Sequence, residues 1–276
     1  MIKADKYYIE NLINIKEHGS YDRNPRPKYK DGMPAHTKFT TQVFEKYDIS
    51  NNEFPITTLR NTAIKTGIRE ILLIYQKQSN SFKVAPDMGI KWWDEWNVGN
   101  DTIGYRYGYT VNKYDLMNKL LNGLEKDPFG RRHIIDMYQY SNFEESDGLY
   151  PCAFMTLWTV RKVNNEMLLD LTLIQRSNDY IVSGYINKIQ YVALQMMVAS
   201  HLKFKCGNFS HLTQNCHVYD RHFDALDEIL NRKPLGMQPM IRLKENKRFY
   251  DFTVDDFEVL NIEGIEKLKS NLEIAI

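Results

Sequence analysis

The chain has 276 residues, enough for one large domain with a sizeable core. Its 36 basic and 35 acidic side chains leave a net charge of +1, whereas a general polyanion binder carries a large basic excess, so nucleic acid is not an expected partner. Three cysteines without a CxxC pair indicate a reduced, cytoplasmic protein. The N-terminal segment lacks the apolar core of a signal peptide, and no apolar run reaches the ~20 residues that span a bilayer, so no membrane partner is expected.

The first part of the chain alternates helix and strand signals. Residues 3–18 repeat apolar side chains at helical spacing, whereas 37–48 alternate as a strand does and 54–58 predict a second short strand. Residues 61–78 predict a helix, and Glu70 falls inside its apolar run. A glutamate with such neighbours either lies at the rim of the core or has a raised pKa, which suits a general acid or base near neutral pH.

Three indoles, those of Trp92, Trp93 and Trp96, lie within five residues of one another. Filling of the core is the ordinary explanation for such a cluster. The alternative is a flat apolar wall against which a ring-shaped ligand binds.

Two polar segments carry arginines. Arg23 and Arg26 belong to a proline-rich run that blocks helix and regular sheet, and Arg131 and Arg132 stand side by side in the turn after a predicted helix at 113–126. Solvated loops commonly contain such charges. Neighbouring arginines also supply several fixed donors to a phosphate, so an anion site is the functional interpretation.

The middle of the chain predicts a β-hairpin that brings a thiol beside a cation. Residues 153–161 and 167–175 alternate apolar and polar side chains around an Asn-Asn turn signal at 164–165. Because the two open ends of a hairpin lie at the same edge, Cys152 is expected beside Arg176. A lone cysteine is otherwise a small buried hydrophobe in most proteins.

Residues 187–204 give the most apolar helical pattern and predict a central core helix. Asn187 at its start either caps the helix or pairs with the edge of a pyrimidine, since its amide carries both donors and an acceptor. Farther along, residues 206–211 predict a strand, and a helix at 220–231 follows the segment 215–219. Residues 240–243 and 257–260 predict two short strands. No linker or repeat interrupts the chain, so we predict one α+β domain, residues 1–276, with a mixed β-sheet packed by helices.

Taken together, the motifs resemble the thymidylate synthase family, the folate-dependent enzymes that methylate dUMP. The matching stretches occur in the family's order and cover nearly the whole chain: WWDEW (92–96), DPFGRR (127–132), PCAF (151–154), QRSND (175–179), GYIN (184–187), CHVYDRH (216–222) and EIAI (273–276). The resemblance implies a methyltransferase of nucleotide biosynthesis that makes dTMP. Its co-substrate would be 5,10-methylenetetrahydrofolate, which donates the one-carbon unit and the hydride, and no metal would be required.

The resemblance also implies roles for individual residues. Cys152 would be the nucleophile that adds to C6 of uracil, Glu70 would move protons through water, and Asn187 would read the uracil edge. The implied dUMP ligands are Arg26, Arg131, Arg132, Arg176, Ser177, Asp179, Asn187, His217 and Tyr219. The implied folate contacts are Trp93, Trp96, Asp179 and Ile276. Arg23 is the second choice for the early-loop arginine, and Arg176 is expected to favour the thiolate of Cys152.

In this family the counterparts of Arg131 and Arg132 reach the phosphate in the other subunit's site. The resemblance therefore implies a two-fold homodimer whose interface is a face of the β-sheet.

The alternative function is that of a pyrimidine nucleotide hydroxymethylase of the same fold, although asparagine rather than aspartate at position 187 disfavours its cytosine version. A nucleotide-binding or RNA-binding protein that keeps the fold without catalysis is a rival of another class.

Overall fold

The computed structural model describes residues 1–275, apart from the side chain of Glu95. Within that range the helices are α1 (Lys3–His18), α2 (Ile64–Ile71), α3 (Gly108–Lys113), α4 (Leu116–Lys126), α5 (Tyr140–Glu145), α6 (Gly184–Leu202) and α7 (Phe223–Leu230). The strands are β1 (Ser20–Tyr21), β2 (Thr37–Asp48), β3 (Ile134–Asp136), β4 (Ala153–Val163), β5 (Glu166–Asp179), β6 (Lys205–Tyr219), β7 (Met240–Leu243) and β8 (Phe257–Leu260).

A mixed six-stranded sheet organises the fold, with the strand order β1-β2-β6-β5-β4-β3. Strands β5 and β6 run parallel and the other neighbours antiparallel, while β7 and β8 pair separately. One hydrophobic cluster extends from α1 to the residues around β8. The prediction of a single α+β domain with a mixed sheet packed by helices is therefore confirmed.

The predicted hairpin is formed by β4 and β5. Asn164 and Asn165 connect the strands with positive φ angles of 49° and 65°, a left-handed conformation that asparagine tolerates and that matches the twist of a tight hairpin. Pairing brings Ala153 opposite Gln175. The backbone N–H of Arg176 then donates to the carbonyl of Cys152 at 2.9 Å, so the thiol and the cation are neighbours at one edge of the hairpin.

Helix α6 crosses the inner face of the sheet as the predicted core helix. Every residue from Lys188 to Ala199 is buried, as is typical of a helix enclosed on all sides. It packs against α2, β5 and β6. The helix begins at Gly184, so Asn187 lies inside its first turn and does not cap it, which corrects one of the two interpretations of that residue.

Other predicted helices and strands have different boundaries in the structure, because contacts with distant residues override the local sequence pattern. Residues 54–58 form no strand, since Thr57 and Thr58 bond to the buried carboxylate of Asp5, with Thr57 Oγ1 2.7 Å from Asp5 Oδ1. The helix predicted over 61–78 begins at Ile64 and ends in a π-helical turn, Leu72–Gln76. The strand predicted at 206–211 continues to Tyr219, because β6 is paired with β2 and β5 on its two sides.

Candidate active site

A cavity of about 410 Å³ opens where the ends of β4, β5 and β6 meet α2 and α6. The predicted site residues that line it are Arg26, Glu70, Trp93, Trp96, Cys152, Arg176, Ser177, Asp179, Asn187, His217 and Tyr219. Arg131 and Arg132 are exposed and line a separate surface depression at the turn before β3. Ile276 lies outside the described residues, so the position predicted for it stays a prediction.

Cys152 stands immediately before β4, half-buried in the wall of the cavity. Its backbone N–H donates to Tyr107 Oη at 3.2 Å. Burial raises the pKa of the Cys152 thiol, and the charges of Arg176 and Arg26 oppose that rise without cancelling it. Arg176 therefore lowers the thiol pKa as expected, but the effect of burial is larger.

Two guanidinium groups, those of Arg26 and Arg176, line the cavity. Arg176 Nε donates to the carbonyl of Pro151 at 3.0 Å, and its Nη2 donates to that of Tyr150 at 2.6 Å. These bonds fix both the loop before Cys152 and the guanidinium plane. Arg26 lines the same cavity, whereas Arg23 is not among the residues that line it. Two guanidinium groups beside a thiol, one of them held by hydrogen bonds, form a site suited to an anion.

Glu70 lies on α2 and is half-buried in the cavity wall. Trp93 Nε1 donates to Glu70 Oε1 at 2.6 Å, and Gln190 Nε2 donates to the other carboxyl oxygen. Burial raises the pKa of Glu70, and these donors oppose the rise. The sequence offered two interpretations of Glu70, a position at the rim of the core or a raised pKa. Both apply in part, because Glu70 borders a cavity and also has a raised pKa.

The amide of Asn187 is bonded on both sides. Its Oδ1 accepts from Gln175 Nε2 at 3.0 Å, and its Nδ2 donates to Gln190 Oε1 at 3.0 Å. Neither glutamine was predicted from the sequence to be a site residue. Gln190 follows Asn187 by three residues and so shares its side of the helix, and Gln175 directly precedes Arg176. Those two spacings are the signals that identify them.

The parallel pairing of β5 with β6 adds the last polar groups. Asp179 lies opposite His217, and the His217 ring contacts Tyr219 edge to face at 5.2 Å between centroids. His217 Nδ1 lies 2.9 Å from Asn215 Oδ1. Burial lowers the pKa of His217 and raises that of Tyr219 well above its usual range. Both groups are therefore neutral near pH 7 and present hydrogen-bonding atoms rather than charges.

The apolar side of the cavity comes from the indoles. Trp93 is buried against Glu70, and Trp92 and Trp96 are half-buried beside it. Ile274 and Ala275 of the C-terminal tail border the same space. A wall of this kind suits a flat ring system.

Two further observations concern residues 1–275 as a whole. None of their helices is both long enough and apolar enough to cross a membrane. The same residues bring together no group of three or more His, Cys, Asp or Glu side chains with the spacing of a metal site.

A thiol, a carboxyl group and paired guanidinium groups around one cavity are typical of an enzyme that holds an anionic ring substrate beside a nucleophile. Comparison with known proteins identifies the family. The thymidylate synthase family model matches residues 6–274. The chain is 47% identical to thymidylate synthase of Streptococcus pneumoniae (strain 70585), covering 99% of this chain and 100% of the relative. Identity to the enzyme of Lactococcus lactis subsp. lactis (strain IL1403) is 44%, with the same coverage.

A solved structure agrees with these relatives. The thermostable thymidylate synthase A from Bacillus subtilis superposes with a TM-score of 0.89 at 31% identity, over 99% of each chain. The chain belongs to the thymidylate synthase family, which confirms the resemblance drawn from the motifs. The family methylates dUMP to dTMP, and the chain is a methyltransferase of this kind.

Proposed function

We propose that this cavity carries out the reductive methylation of dUMP, with Cys152 as the nucleophile. Carbon 5 of uracil is a poor nucleophile, and addition of the thiolate to C6 makes C5 enolate-like, so that one difficult step becomes two easier ones. The observation that carries the proposal is that the Cys152 thiol shares one cavity wall with Arg26 and Arg176. A nucleotide whose phosphate binds those cations has its ring beside the sulfur.

The phosphate and sugar of dUMP have separate partners in this proposal. Arg26, Arg176 and Ser177 bind the phosphate, with Arg176 preorganised by its bonds to the loop carbonyls. His217 and Tyr219 bind the deoxyribose hydroxyl through neutral donor and acceptor atoms. Binding energy from these remote groups orients the ring for attack. Asp179, which also borders the cavity, adjoins both the nucleotide and the folate.

Proton movements fall to Glu70 and Asn187. The raised pKa of Glu70 suits a carboxyl group that gives and takes protons through water near neutral pH. Asn187 offers an amide proton to O4, where negative charge develops once the thiolate has added to C6. The Glu70 carboxyl and the Asn187 amide are linked through Gln190, so the proton-transfer group and the ring-reading group are held in one arrangement.

The second substrate is 5,10-methylenetetrahydrofolate, which supplies the one-carbon unit and the hydride and leaves as dihydrofolate. Trp93 and Trp96 form an apolar wall for its ring, together with Asp179 and the C-terminal residue Ile276. Support for this assignment comes from Trp93 and Trp96, which line the same cavity as Cys152. By excluding water, the same wall protects the reacting carbon from hydrolysis.

We further infer a homodimer in which each site borrows Arg131 and Arg132 from the other subunit. The outer face of the sheet supports this inference. Phe44, Leu212, Ile174 and Met155 lie opposite one another across β2, β6, β5 and β4, and Phe44 is 55% exposed in the isolated chain. Leu212, Ile174 and Met155 are half-buried. An apolar row of this kind that reaches the surface is typical of a subunit interface.

The working unit is then a two-fold dimer of one catalytic domain, residues 1–276, in the cytoplasm. That location is supported by the free thiols of all three cysteines. No interaction with membranes or nucleic acid forms part of this proposal.

A spectrophotometric assay with dUMP and 5,10-methylenetetrahydrofolate tests the reaction. The expected result is a rise in dihydrofolate absorbance together with dTMP identified by mass. A hydroxymethylated nucleotide without dihydrofolate would establish the hydroxymethylase alternative instead. Absence of any change in dUMP would contradict both.

Subunit mixing tests the shared arginines. Neither Cys152→Ala nor the double variant Arg131→Ala/Arg132→Ala is expected to be active alone. Mixed dimers contain one site with both an intact thiol and the two arginines, so about a quarter of wild-type activity should return after unfolding and refolding the two together. No recovery in refolded mixtures that do contain hybrid dimers would contradict the exchange of arginines.

A further inference from the structure

The Asn187 amide keeps one acceptor position and one donor proton for a ligand. A side-chain amide has two of each, and Gln175 and Gln190 use one apiece. The ring edge of uracil offers a donor at N3 and an acceptor at O4. Cytosine offers the reverse, an acceptor at N3 and the N4 amino group as donor. Which pyrimidine fits therefore depends on which way the Asn187 amide is turned.

The Gln175 side chain fixes one half of that orientation. Its Nε2 donates at 3.0 Å to the backbone carbonyl of Ser177, an atom that can only accept. Its Oε1 accepts from Asn178 Nδ2 at 3.0 Å and lies 2.8 Å from His211 Nε2. Gln175 therefore has to direct its N–H groups toward Asn187, and Asn187 has to meet them with Oδ1.

The Gln190 side chain fixes the other half. It is only 3% exposed, and its Nε2 donates to the Glu70 carboxylate, so its Oε1 turns toward Asn187 Nδ2. A rotated Asn187 amide would set oxygen against Gln190 Oε1 and nitrogen against Gln175 Nε2. Both of those contacts would lose their hydrogen bonds in a buried setting, where unpaired polar groups are costly.

We propose that Gln190 is a specificity-determining residue of this enzyme: with Gln175, it holds the Asn187 amide in the orientation that pairs with uracil and rejects cytosine. The inference rests on the proposed function, in which Asn187 reads the pyrimidine edge. Gln190 acts through Asn187 and is a positioning residue. The chain of bonds from Ser177 to Glu70 makes selectivity depend on a residue beyond the one that reads the base.

The test is the ratio of the dCMP and dUMP dissociation constants, measured by calorimetry. Gln190→Met keeps the length of the side chain and removes both of its hydrogen-bonding atoms. With one side of the Asn187 amide released, the ratio is expected to fall about tenfold. Gln195→Met is the matched control. Gln195 lies buried on the same helix and donates to the carbonyls of Leu169 and Asn208, away from the cavity. That variant should lose stability and keep the ratio.

A second variant separates the two bonds of Gln190. Gln190→Glu retains an acceptor for Asn187 Nδ2 and removes the donor to Glu70, so the ratio should stay near that of the wild type even where turnover falls. Thermal unfolding reports whether each variant is folded. If Gln190→Met does not fold, Gln190→Ala takes its place in the test. An unchanged ratio in a folded Met or Ala variant overturns the inference, as does an equal loss in Gln190→Glu. The wild-type assay is independent: a wild type that fails to convert dUMP contradicts the proposed function itself.

Discussion

Two polar networks lie against the inner face of the sheet, and they differ in whether hydrogen-bonding atoms remain for a ligand. The cavity network runs through Gln175, Asn187, Gln190 and Glu70, and its amides keep positions for a ligand. The second network surrounds Glu45 on β2, deep in the core. The two meet on α6, where consecutive residues belong to different networks.

The Glu45 network is closed, in the sense that its polar side chains bond to one another in the core. Glu45 Oε1 accepts from Lys188 Nζ at 2.6 Å and from Tyr180 Oη at 2.8 Å, and its Oε2 accepts from Tyr47 Oη. Lys188 and Glu45 side chains are 0% and 1% exposed. The Lys188 ammonium lies 4.1 Å from the ring centroid of Tyr185, a cation–π contact. Burial lowers the pKa of Lys188, which the Glu45 carboxylate opposes. The polar atoms of the Glu45 network bond to one another in the core, whereas the cavity amides keep hydrogen-bonding positions that we propose for the substrate.

The largest expected effect on activity comes from a substitution in the cavity. Cys152→Ala removes the nucleophile, so turnover should fall by about 10⁴-fold or more. Binding of dUMP should persist because Arg26, Arg176 and Asn187 are untouched. Release of tritium from C5-labelled dUMP measures the step directly, and calorimetry measures the binding. Tritium release at the wild-type rate in this variant would remove Cys152 from the mechanism.

Breaking the closed network should instead affect stability. Glu45→Ala leaves the Lys188 ammonium buried without a partner and should lower the free energy of unfolding by about 3–5 kcal/mol. The double variant Glu45→Met/Lys188→Met fills the same space without charge and should recover most of that loss. Urea unfolding at neutral pH gives both values. If the single variant loses no more stability than the double one, an unpaired Lys188 ammonium carries no extra cost and the prediction is wrong.

The same contrast explains what the sequence could predict. The β4–β5 hairpin is local, and its alternation and Asn-Asn turn predict the meeting of Cys152 with Arg176. The partners of Lys188 are not local: Glu45 lies 143 residues away along the chain, and no periodicity in either segment indicates the pair. The choice of Arg26 over Arg23 for the cavity wall, and the role of Gln190, likewise depend on tertiary geometry.

A smaller effect tests the orientation of the pyrimidine-reading amide. Asn187→Asp replaces the donor Nδ2 with an oxygen, and a protonated or reoriented carboxyl pairs better with a ring that carries an amino group. Affinity should shift from dUMP toward dCMP by about tenfold. Competition binding with the two nucleotides gives the shift, with Lys188→Met as a neighbouring control outside the cavity. Unchanged selectivity in Asn187→Asp would mean that another residue reads the ring.

The smallest expected effect concerns the pH dependence of stability that the Glu70 carboxyl group causes. Burial raises the pKa of Glu70 in the folded chain, so the folded state holds that proton more tightly than the unfolded state. Stability from this group is present at acid pH and is lost as pH rises through the folded pKa. Glu70→Gln cannot titrate, so its unfolding free energy relative to wild type should rise from acid to neutral pH while turnover is lost. A difference that stays constant with pH would contradict the raised pKa.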